Sequence, residues 1–192
     1  MSKRAKLFIV SAPSGSGKTT LCTRLLGARM GLTDSISMTT RPRRSGETDG
    51  KDYFFVSEKE FKARIRQQRF LEWTRTYGWY YGTPAKFVTD ILARGDDVLL
   101  SIDVKGAMNV KRLLPGTILI FIVPPSIGAL KERLTKRNSD GPGEIAKRLT
   151  RARRELTYAG KYDYCVVNDR IEKALGALKA IITAERCRVP KR

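Results

Sequence analysis

The sequence predicts an α/β domain, a parallel sheet flanked by helices. Three observations predict it. Several short runs are apolar at every position, the pattern of strands buried on both faces. Helical stretches separate those runs, as parallel pairing requires. A Gly-rich turn joins the first run directly to the first helix.

Lys6 to Ser11 (KLFIVS) is the first strand, and the helix after the turn spans about Lys18 to Ala28. A polar, arginine-bearing stretch, Thr33 to Lys51, precedes a strand at Asp52 to Val56. Ser57 opens a short helix, with Glu60 three residues on as its capping-box partner. Thr83-Pro84 starts another, because proline is favoured in a first turn; it runs to about Arg94, where Gly95 stops it. Asp97 to Ile102 (DVLLSI) is a central strand, followed by a helix at Lys105 to Leu113 and a strand at Thr117 to Val123. Ser126 caps a helix reaching about Lys136. A Gly/Pro-broken turn, Asn138 to Gly143, leads to a strongly basic helix ending near Ala159. Tyr164 to Val167 is the last strand and Ile171 to Cys187 the last helix.

At 192 residues the chain suffices for one domain with its own core. A composition of 41% hydrophobic and 30% charged residues is that of a globular protein, not a disordered one. The longest apolar run, Thr117 to Pro125, falls well short of the ~20 residues a membrane-spanning helix needs. The N-terminus is basic and then apolar, but its apolar piece is only about five residues and enters the Gly-rich turn, so no signal peptide is expected. Cys22, Cys165 and Cys187 lie far apart and there is no histidine, which excludes a histidine base and a zinc site. Reduced core thiols and a cytoplasmic location are expected. The formal charge of +19 attracts polyanions. The basic residues are scattered along the chain without a nucleic-acid-binding module, so no dedicated nucleic-acid or membrane partner is expected. Monomer and homo-oligomer fit the sequence equally.

Ala12-Pro13-Ser14-Gly15-Ser16-Gly17-Lys18-Thr19 fits the phosphate-loop pattern G-x-x-x-x-G-K-[ST], with alanine in place of the first glycine. Gly15 and Gly17 permit backbone angles that turn successive N–H groups onto phosphate oxygens. The start of the following helix, with Thr20 beside Thr19, adds partial positive charge. Lys18 is placed to reach the β- and γ-phosphates of ATP, and Thr19 to offer its hydroxyl to Mg²⁺. No N-K-x-D guanine reader of the GTPases is present. Asp103 ends a central strand, where a carboxylate either holds Mg²⁺ through water or caps the next helix. The pattern leaves both open.

Ser35 to Phe55, S-I-S-M-T-T-R-P-R-R-S-G-E-T-D-G-K-D-Y-F-F, resembles the signature that forms the monophosphate site of the guanylate kinase family. The resemblance continues through FLEW (Phe70 to Trp73), YYGTP (Tyr80 to Pro84), IDVKG (Ile102 to Gly106), PPS (Pro124 to Ser126) and VND (Val167 to Asp169). It covers essentially the whole chain.

The resemblance implies a P-loop NTPase-type core at 1–35, 96–124 and 161–192, an inserted GMP-binding lobe at 36–95 and a helical lid at 125–160. It implies transfer of a phosphoryl group from ATP to GMP, and to dGMP, in one in-line step with Mg²⁺. Arg41 and Arg44 would grip the GMP phosphate through guanidinium forks, joined by the hydroxyls of Tyr53 and Tyr81. Glu72 would accept from the guanine N1–H and 2-amino group, with Thr83 and Ser37 completing the base contacts and Asp103 in the same site. Arg133, Arg137 and Arg148 resemble the lid arginines that stabilise the phosphoryl group in flight. Asn168 and Asp169 stand where the family contacts the adenine end. Four positions depart from the family pattern. Ser101 replaces Asp or Glu, Lys105 replaces Gln, Trp79 replaces Asn, and Met38 replaces His. A non-catalytic scaffold of this fold would lose phosphate-loop residues, and a ribose-phosphate kinase would lack the Glu72–Thr83 pair.

Overall fold

The computed structural model describes residues 5–76, 78–136 and 141–189. In chain order its elements are β1 (Leu7–Ser11), α1 (Lys18–Gly27), β2 (Leu32–Asp34), β3 (Met38–Thr39), β4 (Phe54–Phe55), α2 (Glu58–Arg66), β5 (Phe70–Thr76) and β6 (Trp79–Pro84). They continue with α3 (Ala85–Ala93), β7 (Asp97–Ser101), α4 (Val104–Leu113), β8 (Ile118–Val123), α5 (Ile127–Lys136), α6 (Pro142–Leu156), β9 (Tyr164–Val167) and α7 (Ile171–Cys187).

Five strands form one sheet in the order β2-β7-β1-β8-β9, every pairing parallel. Successive strand residues point to opposite faces, and both faces are apolar here. Phe8, Val10, Leu99, Ile120 and Ile122 pack with Leu21 and Leu25 of α1 and Leu178 and Ile182 of α7. Leu7, Ile9, Val98, Leu100 and Leu119 pack on the other face with Val88 and Ile91 of α3 and Ala107 and Val110 of α4. Each such side chain, fully enclosed, is worth about 1.5–3 kcal/mol of transfer free energy. That two-sided burial explains the absence of polar alternation in these runs.

The buried Asp97 at the start of β7 accepts from the Lys6 N–H at 2.8 Å and from Arg186 Nε at 2.7 Å, tying β1 and α7 to the sheet. Both predicted serine caps form. Ser57 Oγ accepts from the Glu60 N–H at 3.1 Å, and Ser126 Oγ from the Ala129 N–H at 3.0 Å. The Glu60 carboxylate accepts from Arg64 one turn on.

Phe70–Thr76 and Trp79–Pro84 form an antiparallel hairpin that joins β3 and β4 in a second sheet, order β4-β3-β6-β5. The sequence expectations miss these strands and place a helix start at Thr83-Pro84. In the structure Thr83 is paired in β6, and Pro84 is the last strand residue before α3. The expected strand at Asp52 to Val56 shrinks to Phe54–Phe55, because Tyr53 makes only an isolated bridge to Asp49. The polar stretch after α1 also contains β2 and β3, too short and mixed in polarity to show a period. The basic helix ends at Leu156, and a separate short 3₁₀ turn spans Ala159–Lys161. Helices α5 and α6 share a small core of Leu130, Leu134 and Ala152, with Ile145 and Leu149 against it. Of the three cysteines only Cys22 lies in the core; Cys165 and Cys187 are exposed and all are free thiols. No helix among the described residues is long and apolar enough to cross a membrane.

Candidate active site

The Gly-rich turn leaves β1 at Ser11 and enters α1 at Lys18. Gly15 (φ 89°) and Gly17 (φ 86°) are both left-handed, which is strained for any residue with a Cβ. Space enforces glycine as well. A Cβ on Gly15 would lie 2.9 Å from Leu130 Cδ1 of α5, and one on Gly17 would collide with Asn168 Nδ2. Asn168 is buried and donates from Nδ2 to the Ser16 carbonyl at 2.8 Å, while its own carbonyl accepts from Arg133 Nη2 at 2.9 Å. The end of β9 thus clamps the turn from below and holds one arginine of α5. Asp169, next in sequence, is exposed, as are Thr19 and Thr20 at the start of α1.

Lys18 points across to the end of β7, where Nζ donates to the Ile102 carbonyl at 3.2 Å. Burial lowers its pKa, against the opposing pull of the Cys22 thiol and of the Asp103, Glu155 and Glu72 carboxylates. Three acidic groups from three parts of the chain therefore face one ammonium. Asp103 caps α4, accepting from the Gly106 N–H at 2.9 Å through Oδ1. Its Oδ2 accepts from Thr76 Oγ1 at 3.1 Å and Thr74 Oγ1 at 3.3 Å. Of the two readings the sequence allows, helix capping is present.

One face of the second sheet carries Glu72, Thr74, Thr76, Tyr81 and Thr83, set by strict alternation across the hairpin. Glu72 and Thr83 are direct cross-strand partners and both are buried. Thr83 Oγ1 donates to Glu72 Oε1 at 2.7 Å. Burial pushes the Glu72 carboxyl up to about 7, with the neighbouring Asp103 adding to the shift and the Thr83 hydrogen bond and Lys18 opposing it.

Arg41 is buried, with its guanidinium 5.5 Å from the centre of the Tyr53 ring and 5.7 Å from that of Phe55. Its Nη2 reaches Glu47 Oε1 at 2.7 Å, and the other Glu47 oxygen accepts from the Arg44 N–H at 2.8 Å. The Arg44 side chain is exposed. Tyr53 and Tyr81 meet edge to face with centroids 6.1 Å apart. Ser37 is half-buried and its carbonyl accepts from the Phe54 N–H at 2.9 Å. Arg41, Tyr53 and Ser37 thus flank β3 and β4, Tyr81 of the neighbouring β6 meets Tyr53, and Glu72 and Thr83 pair across β5 and β6. In α6, Arg148 is half-buried, its Nε 3.9 Å from Glu144. Arg137 lies outside the described residues.

Several site residues carry no role in the sequence reading. Glu47 lies inside the quoted motif, three residues after Arg44, and its spacing was the available signal. Thr74, Thr76 and Glu155 give no such signal, because only the fold brings them to Asp103 and Lys18. Of the departures, Ser101 is half-buried beside the Cys22 thiol, which burial pushes up to about 11, whereas Lys105 is exposed.

The family model described as guanylate kinase matches residues 4–185. A guanylate kinase of Caldanaerobacter subterraneus subsp. tengcongensis is 48% identical over 189 residues, covering 98% of this chain and 92% of its own. One from Carboxydothermus hydrogenoformans is 46% identical, with the same shares of both chains covered. The crystal structure of guanylate kinase from Anaplasma phagocytophilum superposes with a TM-score of 0.82 at 31% identity, over 97% of this chain and 89% of that one. With the phosphate loop, the buried Glu72–Thr83 pair and the Arg41 cluster arranged as described, this chain belongs to the guanylate kinase family.

Proposed function

We propose that the chain transfers the terminal phosphoryl group of ATP to the 5′-phosphate of GMP, or of dGMP, in one in-line step that leaves ADP and GDP or dGDP. The bond from the ATP β,γ-bridging oxygen to the γ-phosphorus breaks as an oxygen of the acceptor phosphate bonds to that phosphorus. Because the acceptor is already an anion, no strong base is required, and catalysis is positioning plus charge stabilisation. The observation that carries the reading is the buried Glu72 carboxylate, hydrogen-bonded to Thr83 and within electrostatic reach of Lys18. A carboxylate accepts the paired N–H donors of guanine, which adenine does not offer.

Arg41, beside the Tyr53 ring and fixed by Glu47, is the preorganised fork for the acceptor phosphate. Arg44, Tyr53 and Tyr81 complete that grip, and the Ser37 hydroxyl joins the base contacts. The turn from Ala12 to Thr19, with Thr20, wraps the donor phosphates through its N–H groups and the start of α1. Lys18 leaves the Ile102 carbonyl for a phosphate oxygen. Arg133, Arg137 and Arg148 neutralise charge at the reacting phosphorus. Asn168 acts through the loop it clamps, and Asp169 lies at the adenine end. The region 125–160 closes on the core and on the 36–95 lobe, excluding water that would hydrolyse ATP.

Mg²⁺ fits the donor set. It keeps several waters and takes one or two protein oxygens plus substrate phosphates, and the Thr19 hydroxyl, exposed at the start of α1, would offer one such oxygen. Held there, the ion would supply positive charge against that of the phosphates. A coupled ADP-release assay across GMP, dGMP, AMP, UMP and ribose phosphates tests the proposal. ADP release stimulated by GMP and dGMP alone is expected; a chain inert toward GMP with ATP and Mg²⁺ overturns it.

A further inference from the structure

Asp103 is a junction between three parts of the molecule. Through Oδ1 it caps α4 of the core at Gly106, and through Oδ2 it accepts from Thr74 and Thr76 of the hairpin that carries Glu72. The third part is α6, where Arg151 Nη2 lies 4.0 Å from the same Oδ2. Arg151 is held in turn by Glu155, whose Oε1 accepts from Arg151 Nε at 2.8 Å. Glu155 is itself a half-buried carboxylate within electrostatic reach of both Asp103 and Lys18.

We infer that Arg151 is a positioning residue that couples the two nucleotide sites, by anchoring α6 to the Asp103–Thr74–Thr76 cluster. The inference rests on the proposed roles of Arg148 and Glu72. Residues three apart on a helix share a face, so fixing Arg151 fixes the rotation of α6 that aims Arg148. Ala152, next to Arg151, is buried in the small core that α6 shares with Leu130 and Leu134 of α5, and those leucines abut Gly15 of the phosphate loop. A shift of β5 that accompanies acceptor binding moves Thr74 and Thr76 and, through Asp103, the anchor of Arg151. Occupancy of the donor loop acts on the same anchor from the α5 side. Each nucleotide then favours the geometry that the other binds, and the coupling is reciprocal.

The test is the affinity of GMP for the full chain, with and without saturating Mg²⁺ and the β,γ-imido analogue of ATP. The parent is expected to bind GMP more tightly when the analogue is present. Arg151→Met should reduce that enhancement by roughly fivefold or more, within the range of allosteric couplings. Arg151→Lys, which keeps the charge and most of the reach, should recover part of it. Thr76→Val should lose the enhancement as Arg151→Met does, and the double variant should lose no more than either alone. An Arg151→Met variant that retains the parental enhancement overturns the inference, even if its melting temperature falls. So do a parent without enhancement and a double variant whose losses add. Turnover of GMP by the parent separates the outcomes: activity with unchanged coupling removes only the role of Arg151, whereas inactivity removes the underlying function.

Discussion

A Cβ atom on Gly106 would lie 2.5 Å from Oε2 of Glu72 and 3.0 Å from its Cδ. The first turn of α4 is therefore the back wall of the carboxylate, and glycine is the residue that leaves room for it. Gly106→Ala should displace Glu72 while Thr83 still holds its other oxygen, raising the KM for GMP by ~10-fold, on the scale of a small overpacking penalty. The KM for ATP should stay near the parental value. Steady-state kinetics in both substrates check this; equal changes in both constants would mean general distortion and not loss of base reading.

The carboxyl of Glu72 sits near 7 because it is buried. A raised carboxylate pKa means that the folded protein keeps a proton which the unfolded chain has already lost. That contribution to stability is complete below about pH 4.5 and fades as pH rises through about 7. The nucleotide-free parent should thus lose up to ~3 kcal/mol across that window from this group. Glu72→Gln should flatten that part of the profile. GMP binding runs the other way, since guanine requires the ionised form: affinity should fall below pH 7 in the parent and change little with pH in Glu72→Gln. At pH 8 the variant should bind GMP ~1–3 kcal/mol more weakly. Urea titrations and isothermal binding at several pH values measure both slopes.

The main sheet was legible because Leu7–Ser11, Asp97–Ser101 and Ile118–Val123 are apolar on both faces and need no partner to identify them. The phosphate loop was legible because its chemistry is local, a turn and the helix it opens. The hairpin was not. Glu72, Thr74 and Thr76 alternate with Leu71, Trp73 and Arg75, but the inward face is polar because it lines a site, so hydrophobic periodicity vanishes where a strand is functional. Contacts such as Asn168 with Ser16 span 152 residues, and only the sheet order brings them together. The resemblance supplied names for such positions; the contact explains what Asn168 does.

That contact is testable by itself. Asn168→Ala leaves the buried Ser16 carbonyl without its donor and opens space beside Gly17, where the loop is held left-handed. Losing a buried hydrogen bond in this way costs about 1–3 kcal/mol, seen as a lower melting temperature. A looser loop should raise the KM for ATP by ~10-fold or more and leave the KM for GMP nearly unchanged. If GMP suffers equally, the clamp does not act through the phosphate loop.

Ser101 stands beside Cys22, where the resemblance leads one to expect a carboxylate. Ser101→Asp would add a carboxylate beside Cys22, which is itself within electrostatic reach of Lys18. The concentration of Mg²⁺ giving half-maximal turnover should fall, because the added charge attracts the ion. An identical metal titration would show that the position is idle in this chain.

Lys18 gives a variant in which activity and stability should part company. Burial lowers its pKa, so the fold disfavours its charged form. Methionine keeps the length and removes the charge. Lys18→Met should therefore melt no lower than the parent while transfer to GMP is abolished, which a melting curve and an ADP-release assay can establish on one preparation. The same change removes the cation that opposes the raised pKa of Glu72, so the Glu72 titration in the variant should move to higher pH. Near-parental turnover would remove Lys18 from the phosphate site. An unmoved Glu72 titration would mean that the two groups do not sense each other.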